Sequence, residues 1–208
     1  MTTTQHTSMA NHWWWRPGWS VGRRFYTWHL TVGDQPDVQR YAAVYRDALA
    51  HLPGLDPIPD QWLHLTMQGL GFINEVDEHE VQAITAAAQS RLADLPPLEL
   101  NLTDVTVTPE AVLAPAQPAD AVTAVRNTIR AAIADVWPSI PEAPDGFRPH
   151  VSIAYSNAQA PAEPVYQALS TVNTAPATAA RIAAADLIVI HRDRRMYEWE
   201  TYAQAPIG

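Results

Sequence analysis

The chain of 208 residues contains no cysteine, so disulfides and thiolate metal ligands are excluded. Positive charge is scarce. Thirteen Lys and Arg stand against 22 Asp and Glu, for a formal charge of −9. A protein that tracks long nucleic acid needs a basic stripe, so a long duplex partner is excluded, whereas one local pocket can still suit a small anion or an RNA end. No apolar run reaches the length of a membrane span, and no membrane association is expected. The N-terminus lacks the basic start and apolar stretch of a secretory signal, so a soluble cytoplasmic protein is expected. Glycine is sparse, at 8 residues. Gly69-Leu70-Gly71 is not followed by the glycine and lysine of a phosphate-binding loop. No H-E-x-x-H or comparable spacing occurs, and Asp186 and Asp193 are single carboxylates, read as solvated or capping. Neither a metal nor a cofactor is expected. Ser152, flanked by Val151 and Ile153, lacks the glycines of a hydrolase nucleophile elbow.

What is present is enough apolar residue, 47%, for a sizeable core, and 18 prolines that cluster between periodic segments. Residues 1–20 read as a Trp-rich tail carrying Trp13-Trp14-Trp15-Arg16-Pro17-Gly18-Trp19. Three adjacent Trp cannot share one face of a regular element. The segment either folds back over apolar surface or forms a base-stacking or partner-binding flap. Residues 21–208 read as one domain. Strands are expected over Phe25–Val32, Trp62–Phe72, Leu98–Thr108 and Pro149–Tyr155, with Val112-Leu113 a short partner strand. Ala185–His191 and Met196–Ala203 form an expected hairpin around Arg192–Arg195. Three- and four-residue apolar spacing predicts helices over Asp37–His51, Glu78–Leu95, Asp120–Val136 and, more weakly, Glu163–Val172. The order suggests two similar lobes, one from each half of the chain.

Two of these strands carry the same short pattern. His64-Leu65-Thr66 and His150-Val151-Ser152 each hold a His, an apolar residue and a hydroxyl residue. Strand side chains alternate, so His64 and Thr66 share one face, and His150 and Ser152 share another. Two imidazoles can divide acid and base roles near neutral pH, and two hydroxyls can donate to an anion between them. That chemistry suits cleavage of a phosphodiester without a metal. His29-Leu30-Thr31 also fits the pattern, and His29 is read as packing behind the site or touching substrate. Arg148, beside the second motif, is a source of local positive charge. His6, His12, His51 and His79 are read as solvated.

The paired motifs, 86 residues apart, resemble the H-x-[ST] pair of the two-histidine (2H) phosphoesterases, in particular the branch of 2′-5′ RNA ligase-like proteins and RNA 2′,3′-cyclic phosphodiesterases. Gly71, seven residues after His64, and Pro149, just before His150, agree with that branch, and the likeness covers roughly residues 25–203. Gly69 stands where relatives often have Phe, and Tyr155 where some have Arg. The resemblance implies an α+β bilobal fold, two antiparallel sheets flanked by helices around a central cleft. It implies hydrolysis of a cyclic phosphodiester, such as a 2′,3′-cyclic phosphate of an RNA end or nucleotide, by a monomer. His64 would be the acid and His150 the base, roles that invert if the opposite ribose oxygen leaves. Thr66 and Ser152 would bind phosphate oxygens, with Tyr155, Arg148 and His29 at the substrate. The reverse reaction would be 2′-5′ ligation. A nucleotide- or RNA-binding module without turnover, and a hydrolase of cyclic oligonucleotide signals, are the alternatives.

Overall fold

Phe25 to Thr31, a run of aromatic and β-branched residues, becomes a strand buried along most of its length. It belongs to a computed structural model that describes residues 5–173 and 175–208. In chain order the elements are β1 (Ser8–Met9), β2 (Phe25–Thr31), α1 (Pro36–Leu49), β3 (Leu55–Pro57), β4 (His64–Phe72), α2 (Glu78–Leu92), β5 (Leu98–Leu102), β6 (Thr106–Val107) and β7 (Ala111–Gln117). They continue with α3 (Ala119–Ala134), β8 (His150–Ser156), β9 (Ala160–Pro161), α4 (Glu163–Ser170), β10 (Ala180–Ile182), β11 (Ala184–His191) and β12 (Glu198–Pro206).

Helix α1 starts on Pro36, whose missing N–H costs nothing at a helix start, and buries Val38, Tyr41, Ala42, Tyr45 and Leu49. Helix α2 is capped by Asp77, whose carboxylate accepts the His79 N–H at 2.7 Å. No helix among the described residues is long and apolar enough to cross a membrane.

Two of the three antiparallel sheets among the described residues carry the motifs, one motif in each, and the third is the short pair β1–β9. The first runs β12-β11-β2-β4 and carries His64 and Thr66 on its edge strand. The second runs β10-β5-β7-β8-β3, with β6 also on β7, and carries His150 and Ser152 on β8. One motif per sheet is as expected, but the halves of the chain are not the lobes. Strand β3, from the first half, pairs with β8, and α1 packs on β8 and α4. The C-terminal hairpin β11–β12 returns to pair with β2 of the first sheet. Exchange of elements between lobes joins them through one large apolar core. Two further differences are local. The expected strand over Leu98–Thr108 breaks into β5 and β6, and β7 runs seven residues through Pro115. Pro115 still supplies its carbonyl, which accepts the Thr103 N–H at 2.9 Å.

The Trp-rich segment lies on this body. Strand β1 pairs with β9, and the His12 N–H donates to the Ser156 carbonyl at 2.8 Å. Trp13 is buried, while Trp14 and Trp15 remain half exposed.

Candidate active site

The two motif histidines are held in the same way. His64 Nδ1 lies 2.8 Å from the Trp62 carbonyl oxygen, and His150 Nδ1 lies 2.7 Å from that of Arg148. A carbonyl only accepts, so each Nδ1 carries the proton and donates it two residues back along the chain. Each Nε2 is then free, the state that proton transfer at a substrate requires. Both rings, with Thr66 and Ser152, line one cleft of about 460 Å³ between the sheets.

Bulges decide which other residues join them. Thr27 pairs with Gly69 but His29 with Thr66, so Met67 is an extra residue in β4. Phase is therefore kept on the cleft face for Thr27 and His29 on β2 and for His64, Thr66 and Gly69 on β4. On β8, Val112 pairs with Ala154 while Leu113 pairs with Ser152, so Ile153 is extra. The reset brings Tyr155 to the cleft beside His150 and Ser152, where strict alternation would have turned it away. Thr66 is exposed to the cleft, and Ser152 is 8% exposed.

Burial sets the electrostatics. It lowers the pKa of His64 to about 4, with a smaller contribution from the nearby charge of His150 and an opposing one from the Trp62 carbonyl. His29 lies directly against His64 and is 1% exposed. Burial and the neighbouring His64 hold its pKa well below the usual imidazole range. His29 thus lies within the site, behind the His64 ring. Tyr155 is buried against His12, the rings stacked at 4.1 Å, and burial pushes its phenol pKa up so that it stays neutral. The Arg148 side chain is exposed and lines a neighbouring groove, so what Arg148 gives this cleft is its carbonyl.

Two expectations need correction. His12 is 8% exposed and lines the cleft, with Nδ1 3.1 Å from Glu110 and Nε2 3.1 Å from the Tyr197 hydroxyl. Burial lowers its pKa to about 4. Asp186 is 4% exposed. It accepts from the Thr31 hydroxyl at 2.5 Å and from Gln204 Nε2 at 2.7 Å, which satisfies a carboxylate that burial would otherwise penalise.

Several cleft residues lie outside the sequence reading: Arg16, Glu110, Glu142 and Tyr197. Glu142 comes from the Pro-rich loop before β8, and that loop is tied to the first motif by two buried arginines of α3. Arg126 donates to the carbonyls of Met67 at 2.8 Å, Pro144 at 2.9 Å and Ala143 at 3.1 Å. Arg130 donates to Gln68 Oε1 at 2.6 Å and the Glu142 carbonyl at 3.0 Å. The spacing of Arg126 and Arg130 puts both on one helix face, but apart from Gln68 their partners are backbone carbonyls, which leave no sequence signal. Glu142 lies over Gly69, where an added Cβ would come within 2.7 Å of its carboxylate. Among the described residues, no group of three or more His, Asp or Glu could hold a metal ion.

The sequence pattern of the 2′-5′ RNA ligase superfamily matches residues 36–194, which include both motifs. No curated protein sequence matches the chain. Among solved structures it is similar to TT0787 of Thermus thermophilus, with a TM-score of 0.65 and 20% identity over 89% of this chain and 97% of that one. It is also similar to E. coli LigT in apo form, with a TM-score of 0.62 and 16% identity over 89% and 98% of the two chains. A protein described as a phosphoesterase gives 0.64 and 17% over the same shares.

Proposed function

Because the chain belongs to the 2′-5′ RNA ligase superfamily, matched over residues 36–194, we propose that it is a phosphodiesterase that opens a cyclic phosphodiester without a metal. The substrate is a 2′,3′-cyclic phosphate on a nucleotide or RNA end. The observation that carries this reading is the twin arrangement of His64 and His150, each with Nδ1 bonded to a carbonyl two residues earlier and Nε2 free in one cleft. Solved complexes of E. coli LigT with 3′-AMP, ATP and phosphate lend support to a nucleotide ligand.

In the proposed step one Nε2 takes a proton from water as its oxygen attacks phosphorus. The other histidine, protonated, donates to the ribose oxygen as the phosphorus–oxygen bond of the ring breaks, leaving a phosphate monoester. Thr66 and Ser152 donate to the non-bridging oxygens, where negative charge grows. A pKa near 4 leaves His64 neutral at pH 7, the state of a base. We therefore assign His64 as base and His150 as acid in hydrolysis, the reverse of the roles that the resemblance implies. Both histidines belong to one chain, so a single copy carries the whole proposed acid–base pair.

The test is a panel of cyclic phosphodiesters, cyclic oligonucleotides among them, assayed with EDTA and read by the position of the product phosphate. His64→Ala and His150→Ala should each lose about 10²–10⁴-fold in turnover. The double variant should be little worse than the worse single, since the two act as a unit. A strict need for a divalent ion, or nucleotide binding with no turnover anywhere in the panel, would overturn the reading.

A further inference from the structure

An anionic phosphodiester entering this cleft meets two carboxylates, Glu110 and Glu142, on a chain of formal charge −9. Beyond the proposed acid His150, strand β8 offers it no cation, since Tyr155 is a neutral phenol and the Arg148 side chain is turned to a neighbouring groove. Among the described residues lining the cleft, Arg16 is the one arginine, and the chain has no lysine. Arg16 comes from the segment before the first sheet.

Its guanidinium is seated on one side and open on the other. Nη2 donates to Glu110 Oε2 at 2.8 Å, and the guanidinium lies 5.1 Å from the centre of the Trp14 ring. The same carboxylate takes the Trp14 Nε1–H at 3.0 Å and faces His12 Nδ1 at 3.1 Å. Nε and Nη1 of Arg16 have no hydrogen-bond partner among the described residues, and the side chain is 30% exposed. Free N–H donors on a guanidinium that a carboxylate already holds in place suit the oxygens of a phosphate. The charge already acts inside the cleft, where it opposes the upward push of burial on the Tyr155 and Tyr197 hydroxyls.

We propose that Arg16 binds the substrate phosphate in the cleft between His64 and His150, so that the segment before the first sheet completes the site. The inference rests on the phosphodiesterase reading above. The segment does not depend on Arg16 for its place. Arg192, 3% exposed, donates Nη2 to the His12 carbonyl at 3.1 Å, and Trp13, Trp15, Trp19 and Tyr197 surround it at 5.4–5.9 Å. Trp13 Nε1 also donates to Asp56 at 2.7 Å. Substitution of Arg16 therefore removes the charge and leaves the wall standing.

The experiment titrates inorganic phosphate, by calorimetry at fixed ionic strength, into the full chain and into Arg16→Ala, Arg16→Gln and Arg16→Lys. Arg16→Gln can still donate to Glu110, so it keeps the seat without the charge. Arg16→Ala and Arg16→Gln should both weaken phosphate binding by roughly ten- to a hundredfold, the range expected for a lost charge-assisted hydrogen bond. KM for a cyclic phosphate should rise in parallel. Arg16→Lys should keep part of the affinity, and added guanidinium should restore part of the Arg16→Ala loss. Parent-like phosphate affinity in the Ala and Gln variants overturns the inference, as does a parent protein that binds no phosphate. The two readings separate cleanly. A parent that binds phosphate through Arg16 yet turns over no cyclic ester sinks the hydrolase reading alone. A parent that hydrolyses, with Arg16→Gln unchanged in phosphate affinity and KM, sinks the Arg16 assignment alone.

Discussion

The imidazoles of His29 and His64 lie face to face, their centroids 4.2 Å apart and their planes 1° from parallel. Trp199 closes the edge of both, at 5.6 Å from His29 and 5.1 Å from His64. His29 is a floor under the reactive ring, and its own Nδ1 is buried without a partner. Loss of that floor should loosen His64 without removing it. His29→Ala is expected to cost about 1–3 kcal/mol of stability, as small cavities do, and to lower kcat several-fold. His29→Phe, which restores a ring, should recover most of the rate. Thermal melts and steady-state kinetics check this. A loss in His29→Ala equal to that of His64→Ala, unrelieved by Phe, would place His29 in the chemistry.

The low pKa of His64 fixes the pH dependence of kcat/KM, which reports the free enzyme. A base of pKa about 4 is already neutral at pH 5. Protonation of His64 should therefore lower kcat/KM only as pH approaches 4, and an acid limb already complete at pH 5 would mean that His64 titrates higher. The profile counts the protons on the pair and is the same with the two roles exchanged. The role is read instead from a diester whose leaving group needs no proton, such as a nitrophenolate. There His150→Ala should retain far more turnover than His64→Ala, and the reverse order would make His64 the acid.

Stability has its own pH dependence. Burial lowers the pKa of His12 and of His64 to about 4 and holds that of His29 well down. In the unfolded chain each takes a proton near pH 6.5. Below that value the unfolded state binds protons that the folded state refuses. The stability these groups provide is thus complete above pH 6.5 and is lost as pH falls toward 4. Each contributes a slope of up to about 1.4 kcal/mol per pH unit. Urea midpoints measured at pH 7 and pH 5 should show the loss, and His29→Phe should reduce the slope. A midpoint independent of pH over this range would mean that the three rings protonate freely when folded.

Much of this was legible in local periodicity. The two-residue alternation of β4 and β8 set His64 beside Thr66 and His150 beside Ser152, and three-residue and four-residue spacing outlined α1, α2 and α3. Strand β7 was only partly visible because alanines and Pro115 carry little strand preference, and pairing with β8 is what extends it. The passage of α1 and β3 to the second sheet has no local signature, since it is decided by which apolar surface remains uncovered. His12 looked solvated because its partners Glu110 and Tyr197 lie 98 and 185 residues away. Tyr155 reaches the cleft only through the bulge at Ile153, a register shift that composition does not announce.

The hydroxyls give the strictest test of a phosphate site. Thr66 is open to the cleft, and Ser152 faces it while nearly buried, so both can reach non-bridging oxygens. Charge on those oxygens is greatest in the transition state, and stabilisation confined to that state appears in kcat and not in KM. A lost donor of this kind costs on the order of 10²–10³-fold at strong sites. Thr66→Val and Ser152→Ala should fall at the lower end, since a rotatable hydroxyl is less fixed than a backbone N–H. Thr31→Val should leave kcat nearer the parent, because the Thr31 hydroxyl is committed to Asp186 at 2.5 Å. It should cost stability instead, through the buried carboxylate it leaves short of a donor. Thr66→Val is near-isosteric and suits a strand, so an unchanged melting temperature would rule out a broken fold as the cause of lost turnover. Parent-like kcat in both Thr66→Val and Ser152→Ala would show that these hydroxyls do not hold the phosphate, and the site would then rest on its two histidines and Arg16.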